Sequence, residues 1–392
     1  MLFWQKNKYD ISGRLIMPEG SVIMSAPVRV LHVLQRMEPA GVQMLLMNLY
    51  RHMDREKVQF DFLVHYTAPQ FFDKEIEKLG GKIYRLSVRE DYNFFRYWHQ
   101  LNFFFREHPE YRIVHGHMHS LGMFYLSAAE KNGVPVRIAH AHTNGILNDA
   151  KKQIKQYMNN HFADHATDLF ACSESAGKFM FGQKTYRVIN NAIDSTLFCF
   201  DANKRQEKRR ELGIDDQFVI GCVGRFTPEK NQKYSIDVFR KVLKRRENAT
   251  LLLIGSGPME QEVKAYAAAN GLDGKTLFIG NRRDMPELYM AMDVFLFPSV
   301  FEGLGIVGVE AQAAGTPTVA TDTLPREISV TPLIHRLPLG NVEEWADMIE
   351  MAYRDPERHQ NMMHYIQSAS YDITGVASWL QDFYLSKAAE NE

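Results

Sequence analysis

FVIGCVGRFTPEKNQ, residues 218–232, decides the fold. Its first six residues form a short apolar run rich in β-branched and aromatic side chains, which predicts a buried strand. Gly224 lets the chain turn tightly at the end of that run. A strand that passes through such a turn into a helix is half of a βαβ unit, and these units build parallel sheets wrapped by helices. The turn also carries two cations, Arg225 and Lys230, where the backbone N–H groups of a helix start favour anions. Together they can clamp a diphosphate. Alone, the loop reads equally well as a solvated basic turn.

The same alternation extends in both directions. Downstream, ATLLLIGSG, TLFIGNR, VFLFPS and TPTVATD read as strands separated by helical segments. Upstream stand VRVLHVL (28–34), VQFDFLVHY, KIYRL, RIVHGHM, VRIAHAH, DLFACS and YRVIN. The polar stretch DANKRQEKRRELGIDDQ (201–217) breaks the series and reads as a linker with a short helix. The chain therefore predicts an α/β protein of two doubly wound parallel-sheet domains facing across a cleft. Residues 1–27 are an N-terminal extension, 28–195 the first domain and 196–372 the second. Residues 373–392 form a C-terminal helix packing back on the first domain. Ligands in such folds sit beyond the carboxyl ends of the strands, and a cleft between two domains is the default site.

Composition agrees with this picture. A length of 392 residues suits two domains. The net charge of −1 removes any bulk electrostatic case for nucleic acid or an anionic membrane. Cys172, Cys199 and Cys222 make no Cys-x-x-Cys, and three scattered cysteines fit a reducing cytoplasm. No apolar run approaches the ~18–20 residues needed to span a bilayer. The start of the chain has no apolar h-region of a signal peptide. Met24 reads as an alternative start, just ahead of the strand onset at Val28.

Three further stretches carry candidate chemistry. FEGLGIVGVE (301–310) places seven residues between Glu302 and Glu310. An inward-facing Glu on an apolar helix is costly without a partner such as a ligand hydroxyl. Gly303 and Gly305 let backbone N–H groups at the helix start approach a ligand. GSGPME (255–260) serves as a tight strand-to-helix turn near a nucleotide; it lacks the third glycine of a dinucleotide fingerprint. VHGHMHS (114–120) alternates His115, His117 and His119, so on a strand the three rings would share a face. His140 and His142 end the next strand, and five histidines then approach one cleft. That spacing also suits a metal, but no carboxylate or His-Glu-x-x-His accompanies it.

GRF…EKNQ, IGSGP and FPS…FEGLG…E, in this order, resemble the retaining nucleotide-sugar glycosyltransferases of family 4, which have the GT-B fold. The likeness runs from about residue 28 to 385 and is greatest to the bacterial exopolysaccharide and capsule branch. It implies a UDP-sugar donor, with GDP as the other carrier, and a glycan or lipid-linked acceptor. By resemblance, Gly224, Arg225 and Lys230 hold the donor diphosphate, Glu302 meets the donor sugar and Glu310 the ribose. Amides of Gly303, Leu304 and Gly305 meet sugar or phosphate, and the base lies near Gly280–Met285. EPAGVQ (38–43) matches the family's paired-glycine loop through Gly41 alone. INNAID (189–194) matches its Pro-Asn-Gly-Ile-Asp through Asn191, with Asn190 and Ala192 replacing Pro and Gly. His117 takes the position that faces the donor sugar, so catalysis is assigned to Arg225, Lys230, Glu302 and His117. His142 and Ser173 are acceptor-side candidates, His115 is structural, and His119 lies at the rim. No Asp-x-Asp occurs, so no catalytic metal or other cofactor is expected.

Helix FFRYWHQLNFFFREH (94–108) has core spacing, and Phe95 and Phe103 widen its apolar arc toward a peripheral membrane contact. Lys151, Lys152 and Lys155 add a small basic face. Both would place the protein at the inner face of a membrane. Two rival functions remain: a sugar-nucleotide epimerase of the same fold, which would turn over donor without acceptor, and a histidine-cluster metal hydrolase, which would carry zinc.

Overall fold

The computed structural model describes residues 26–391 apart from 88–92, 144 and 146–151. The N-terminal extension through residue 25, Lys151 and the side chains of Lys152 and Lys155 lie outside the described residues. Seven parallel strands form the first sheet: β1 (Val28–Leu34), β2 (Val58–Val64), β3 (Ile83–Arg85), β4 (Ile113–Gly116), β5 (Val136–Ala141), β6 (Asp168–Ala171) and β7 (Arg187–Val188). Six form the second: β8 (Phe218–Val223), β9 (Ala249–Ile254), β10 (Thr276–Phe278), β11 (Val294–Phe297), β12 (Thr318–Thr321) and β13 (Ile334–Leu337). The expected two doubly wound α/β units are thus present.

Strand order is β3-β2-β1-β4-β5-β6-β7 in one sheet and β10-β9-β8-β11-β12-β13 in the other. Each order reverses once, between β1 and β4 and between β8 and β11. A crevice opens at such a reversal, because the helices leaving the two neighbouring strands go to opposite faces. The site must therefore be sought in the loops after β1, β4, β8 and β11.

Both sheets are buried on both faces, which is why their strands read as continuous apolar runs. β13 is the one strand absent from the sequence reading. Its IHRL is an edge segment, half-buried throughout, with no apolar run to mark it. The charged segment after residue 200 forms the helix Ala202–Leu212, capped by the Asp201 side chain on the N–H groups of Asn203 and Lys204.

The last helix, Ile373–Ala389, follows the second sheet in sequence but packs on the first. Ile373, Ala377, Leu380 and Tyr384 are buried there with residues of β1, β2 and β4. A bridge between Ile193 and Asp372 marks where the chain crosses back, and Asn190 Nδ2 donates to the carbonyl of Ala369 at 3.1 Å. In the aromatic helix Phe94–Glu107, Tyr97, Leu101, Phe104 and Phe105 are buried, while Phe95 and Phe103 are 74% and 60% exposed. No helix among the described residues is long and apolar enough to cross a membrane.

Leu380 is 1% exposed and belongs to the second half of the chain only in sequence. Leu380→Ala should cost about 2–5 kcal/mol and lower the thermal midpoint of the first sheet's unfolding. Circular dichroism melts of the variant against wild type check this.

Candidate active site

In the second sheet the loops after β8 and β11 meet across the reversal. Lys230 donates to a Glu302 carboxylate oxygen, joining the two loops by an ion pair. The backbone reinforces the join: Val300 N–H donates to the Glu229 carbonyl at 2.8 Å, and Asn231 Nδ2 to the Pro298 carbonyl at 3.3 Å. Lys230 and Glu302 keep only 22% and 11% of their side-chain surface, so the pair is shielded from water on most sides. A partly buried pair like this is a preformed charge arrangement with little rotamer freedom left to lose.

The glycines of GSGP explain how these loops fit. A Cβ on Gly255 would lie 2.1 Å from the Gly224 carbonyl oxygen, at a φ of +132°. The loop after β9 therefore presses directly onto the loop that carries Arg225 and Lys230. Arg225 itself is exposed and its head is unengaged by any carboxylate among the described residues.

Glu310 lies on the helix Ile306–Ala313, just over one turn beyond Gly305, its N-cap. Tyr289, fully buried, donates its hydroxyl to Glu310 Oε2 at 2.9 Å. Burial pushes the Glu310 carboxyl up to about 7, against the Tyr289 bond, which favours the charged form. Glu310 is half-buried, and Oε2 carries its one side-chain hydrogen bond among the described residues.

The first sheet contributes imidazoles in place of charges. His117 N–H donates to the Val33 carbonyl at 2.8 Å, holding the loop after β4 against β1. His117 Nε2 lies 3.1 Å from His32 Nδ1, and its Nδ1 lies 2.9 Å from His142 Nε2. His115 bonds Tyr384 through Nδ1 at 2.6 Å and His140 through Nε2 at 3.1 Å. His115 and His117 do share a face, with ring centroids 4.4 Å apart. His119 instead starts the helix His119–Lys131, and its Nε2 accepts from the backbone N–H of His142 at 2.9 Å. Burial, reinforced by the neighbouring rings, holds His115, His117 and His142 well below the usual imidazole range. Burial alone brings His119 to about 4.

The two halves touch at the centre of the cleft. A Cβ on Gly303 would stand 2.9 Å from the His142 carbonyl oxygen, so only glycine fits there. Arg283 of the second half also stacks over Phe71 of the first, 4.0 Å from its centroid. This contact brings Glu302, Gly303, Leu304 and Gly305 beside His117 and His142. Gly41 begins the helix Gly41–His52 beyond β1, and a Cβ there would meet nothing within 4 Å. Asn191 is 9% exposed, and its Oδ1 has no partner among the described residues.

Ser173, expected on the acceptor side, is a buried helix cap. It is 0% exposed, caps the helix Glu174–Phe181 by accepting from Ala176 N–H at 3.1 Å, and shares a 3.0 Å bond with Ser175. Three contributors escaped the sequence reading. His32 carried a signal, a lone imidazole inside the apolar run VRVLHVL. Tyr289 and Tyr384 carried none, because both look like core residues.

Comparison with known proteins now fits this geometry. Residues 39–197 match the family described as Glycosyltransferase Family 4, and residues 204–369 match Glycosyl transferases group 1. The chain is 34% identical over 340 residues to the putative glycosyltransferase EpsF of Bacillus subtilis, covering 84% of this chain and 88% of that protein. It is 28% identical over 225 residues to an Escherichia coli UDP-Gal:alpha-D-GlcNAc-diphosphoundecaprenol alpha-1,3-galactosyltransferase, covering 54% of this chain and 58% of that one. Anabaena Alr3699/HepE in complex with UDP and glucose superposes with a TM-score of 0.76 at 19% identity, over 92% of this chain and all of that one. Sucrose-phosphate synthase from Thermosynechococcus elongatus gives 0.73 at 17% identity, over 92% of this chain and 99% of that one. The fold is GT-B, and the chain is a glycosyltransferase that belongs to family 4.

Proposed function

We propose that this enzyme transfers a sugar, with retention at the anomeric carbon, from a UDP-sugar to a glycan or lipid-linked acceptor in cell-surface polysaccharide synthesis. Residues 28–195 are assigned to the acceptor and 196–372 to the donor. The Lys230–Glu302 pair across the β8/β11 reversal carries this reading, because it sets a cation and a carboxylate where a donor's diphosphate and sugar would lie side by side. The UDP complex of Anabaena Alr3699/HepE and the UDP-Gal donor of the Escherichia coli relative support the choice of base. The undecaprenol in that relative's name supports a lipid-linked acceptor, met at the inner face of the membrane by a cytoplasmic enzyme.

The chemistry needs little beyond these groups. The bond from the anomeric carbon to the β-phosphate oxygen breaks, and the acceptor oxygen bonds to the same face. The acceptor's proton passes to the leaving phosphate. Negative charge grows on that phosphate, and Arg225, Lys230 and the amides of Gly303–Gly305 are placed to take it without a metal ion. Glu302 and His117 orient the sugar's hydroxyls, Glu310 the ribose, and Gly41 and Gly224 let backbone approach the phosphates. Asn191, with its free amide oxygen, and His142 complete the walls of the cleft.

Lys230→Ala removes one preorganised donor and should lower kcat about 10²–10³-fold with the fold retained, at a lower thermal midpoint because Glu302 loses its ion-pair partner. Turnover of UDP-hexose with a lipid-linked acceptor, and the anomeric coupling of the product by NMR, check both rate and retention. Near-normal turnover, or an inverted product, refutes the assignment.

Glu310 supplies a pH signature. Its carboxyl titrates near about 7 in the free protein and accepts ribose hydroxyls best when ionised. Donor affinity should therefore rise as pH climbs through 7, and Glu310→Gln should bind more weakly and lose that component, keeping only the step from the UDP terminal phosphate near about 6. Isothermal titration with UDP from pH 5.5 to 8.5, a range chosen at about 1.5 units either side, reads this out. In the free protein the same raised value favours folding below the ordinary 4.5, and that stability is lost as pH rises through about 7.

A further inference from the structure

The cleft-side imidazoles form two hydrogen-bonded strings, and proton counting leaves their ends unsatisfied. One string is His32–His117–His142. Three neutral rings hold three N–H groups, and two of these lie within the string's two bonds. The third must sit on an end atom, either His32 Nε2 or His142 Nδ1, leaving a bare lone pair at the other. Both end atoms are buried without a partner among the described residues. The other string is Tyr384–His115–His140, and it ends on His140 Nε2, buried and equally without a partner. Unpaired buried polar atoms cost about 1–3 kcal/mol each. Two of these atoms, His140 Nε2 and His142 Nδ1, belong to rings that stand side by side, and a ligand placed between them would relieve both.

We propose that His117, His140 and His142 bind one divalent transition-metal ion, with zinc as the best match to the donor set. One ring nitrogen from each lies within 4.8 Å of the other two. The His140 and His142 rings are the tightest pair in the cluster, with centroids 4.0 Å apart. Zinc–imidazole bonds of ~2.0–2.1 Å require the nitrogens about 3.3 Å apart in a tetrahedron. His140 and His142 each keep one ring nitrogen without a partner among the described residues, so His117 alone must release a bond, at 3.1 Å to His32 or 2.9 Å to His142.

The neighbouring triad His32, His115 and His117 meets the same distance test. It is the poorer site, because His115 and His117 each have both nitrogens engaged, so two rings and not one would have to release a bond, and His32 has no exposed surface. His142 is half-buried, so a hydroxide or chloride can complete the shell on its side and offset the ion's charge. Burial keeps the three rings neutral, the form that binds metal. No carboxylate bonds any ring of the cluster among the described residues, so the donor set is purely imidazole. Imidazole nitrogen favours zinc, copper and nickel over magnesium or manganese. The ion would tie together the carboxyl ends of β4 and β5. Neither the site nor its test depends on the donor reading given above.

The test uses full-length protein stripped with a chelator and dialysed against Zn²⁺ or Co²⁺. One ion per chain, a raised thermal midpoint and cobalt absorption of tetrahedral intensity are expected. His140→Leu should weaken binding by at least about 10–100-fold and abolish the cobalt bands. His140→Cys should restore them with an added sulfur-to-cobalt charge-transfer band, and His161→Ala, a surface control, should leave binding unchanged. Absence of stoichiometric metal in wild type, or equal affinity in His140→Leu, overturns the site. If His140→Leu does not fold, His140→Cys decides: a cobalt complex without the sulfur band places the metal elsewhere.

Discussion

Every paired strand among the described residues runs parallel to its neighbours, and the rest of the structure follows from that constraint. Parallel pairing forces each connection to cross back over a sheet face, which covers both faces and puts every carboxyl-end loop on one side. Each sheet then has a single reversal of order, and the helices part there. Two such sheets, held so that these ends meet, enclose one cleft. The contact of Gly303 with the His142 carbonyl is where the two crevices become one.

The two reversals are built from different chemistry. In the second sheet a buried-leaning ion pair, Lys230–Glu302, spans the gap. In the first, His32 on β1 and His117 beyond β4 span it by an imidazole–imidazole bond. Charge on one wall and neutral, polarisable rings on the other suit a ligand with an anionic half and a polyhydroxyl half. The imidazole bridge leaves buried ring nitrogens without a partner among the described residues, at His32 Nε2 and His142 Nδ1.

Most of the fold was legible because parallel strands advertise themselves. VRVLHVL became β1 residue for residue, and twelve of the strands were marked by apolar runs. β13 was not, because an edge strand with one solvated side has no such run. The return of the final helix to the first sheet was expected, yet no local pattern in residues 373–392 encodes a partner that lies hundreds of residues away. In the candidate site, the spacing of Gly224–Lys230 and Glu302–Glu310 was enough to anticipate that their loops meet, as the Lys230–Glu302 pair shows. Ser173 stands after a strand, a position shared by cleft residues and helix caps alike, and only the structure reveals its burial and its cap. Three equivalent histidines in VHGHMHS became three different ones, since the strand ends at Gly116 and the helix takes over at His119.

The proposed donor is a uridine diphosphate sugar. A thermal-shift comparison of UDP, GDP and their hexose conjugates on the full chain tests it most directly. A ligand at 100 times its Kd adds about 2.7 kcal/mol of stability, a shift of several degrees. UDP and at least one UDP-hexose should give that shift, with GDP well behind. No shift with any nucleotide, or a larger one with GDP and its sugars, would contradict the account.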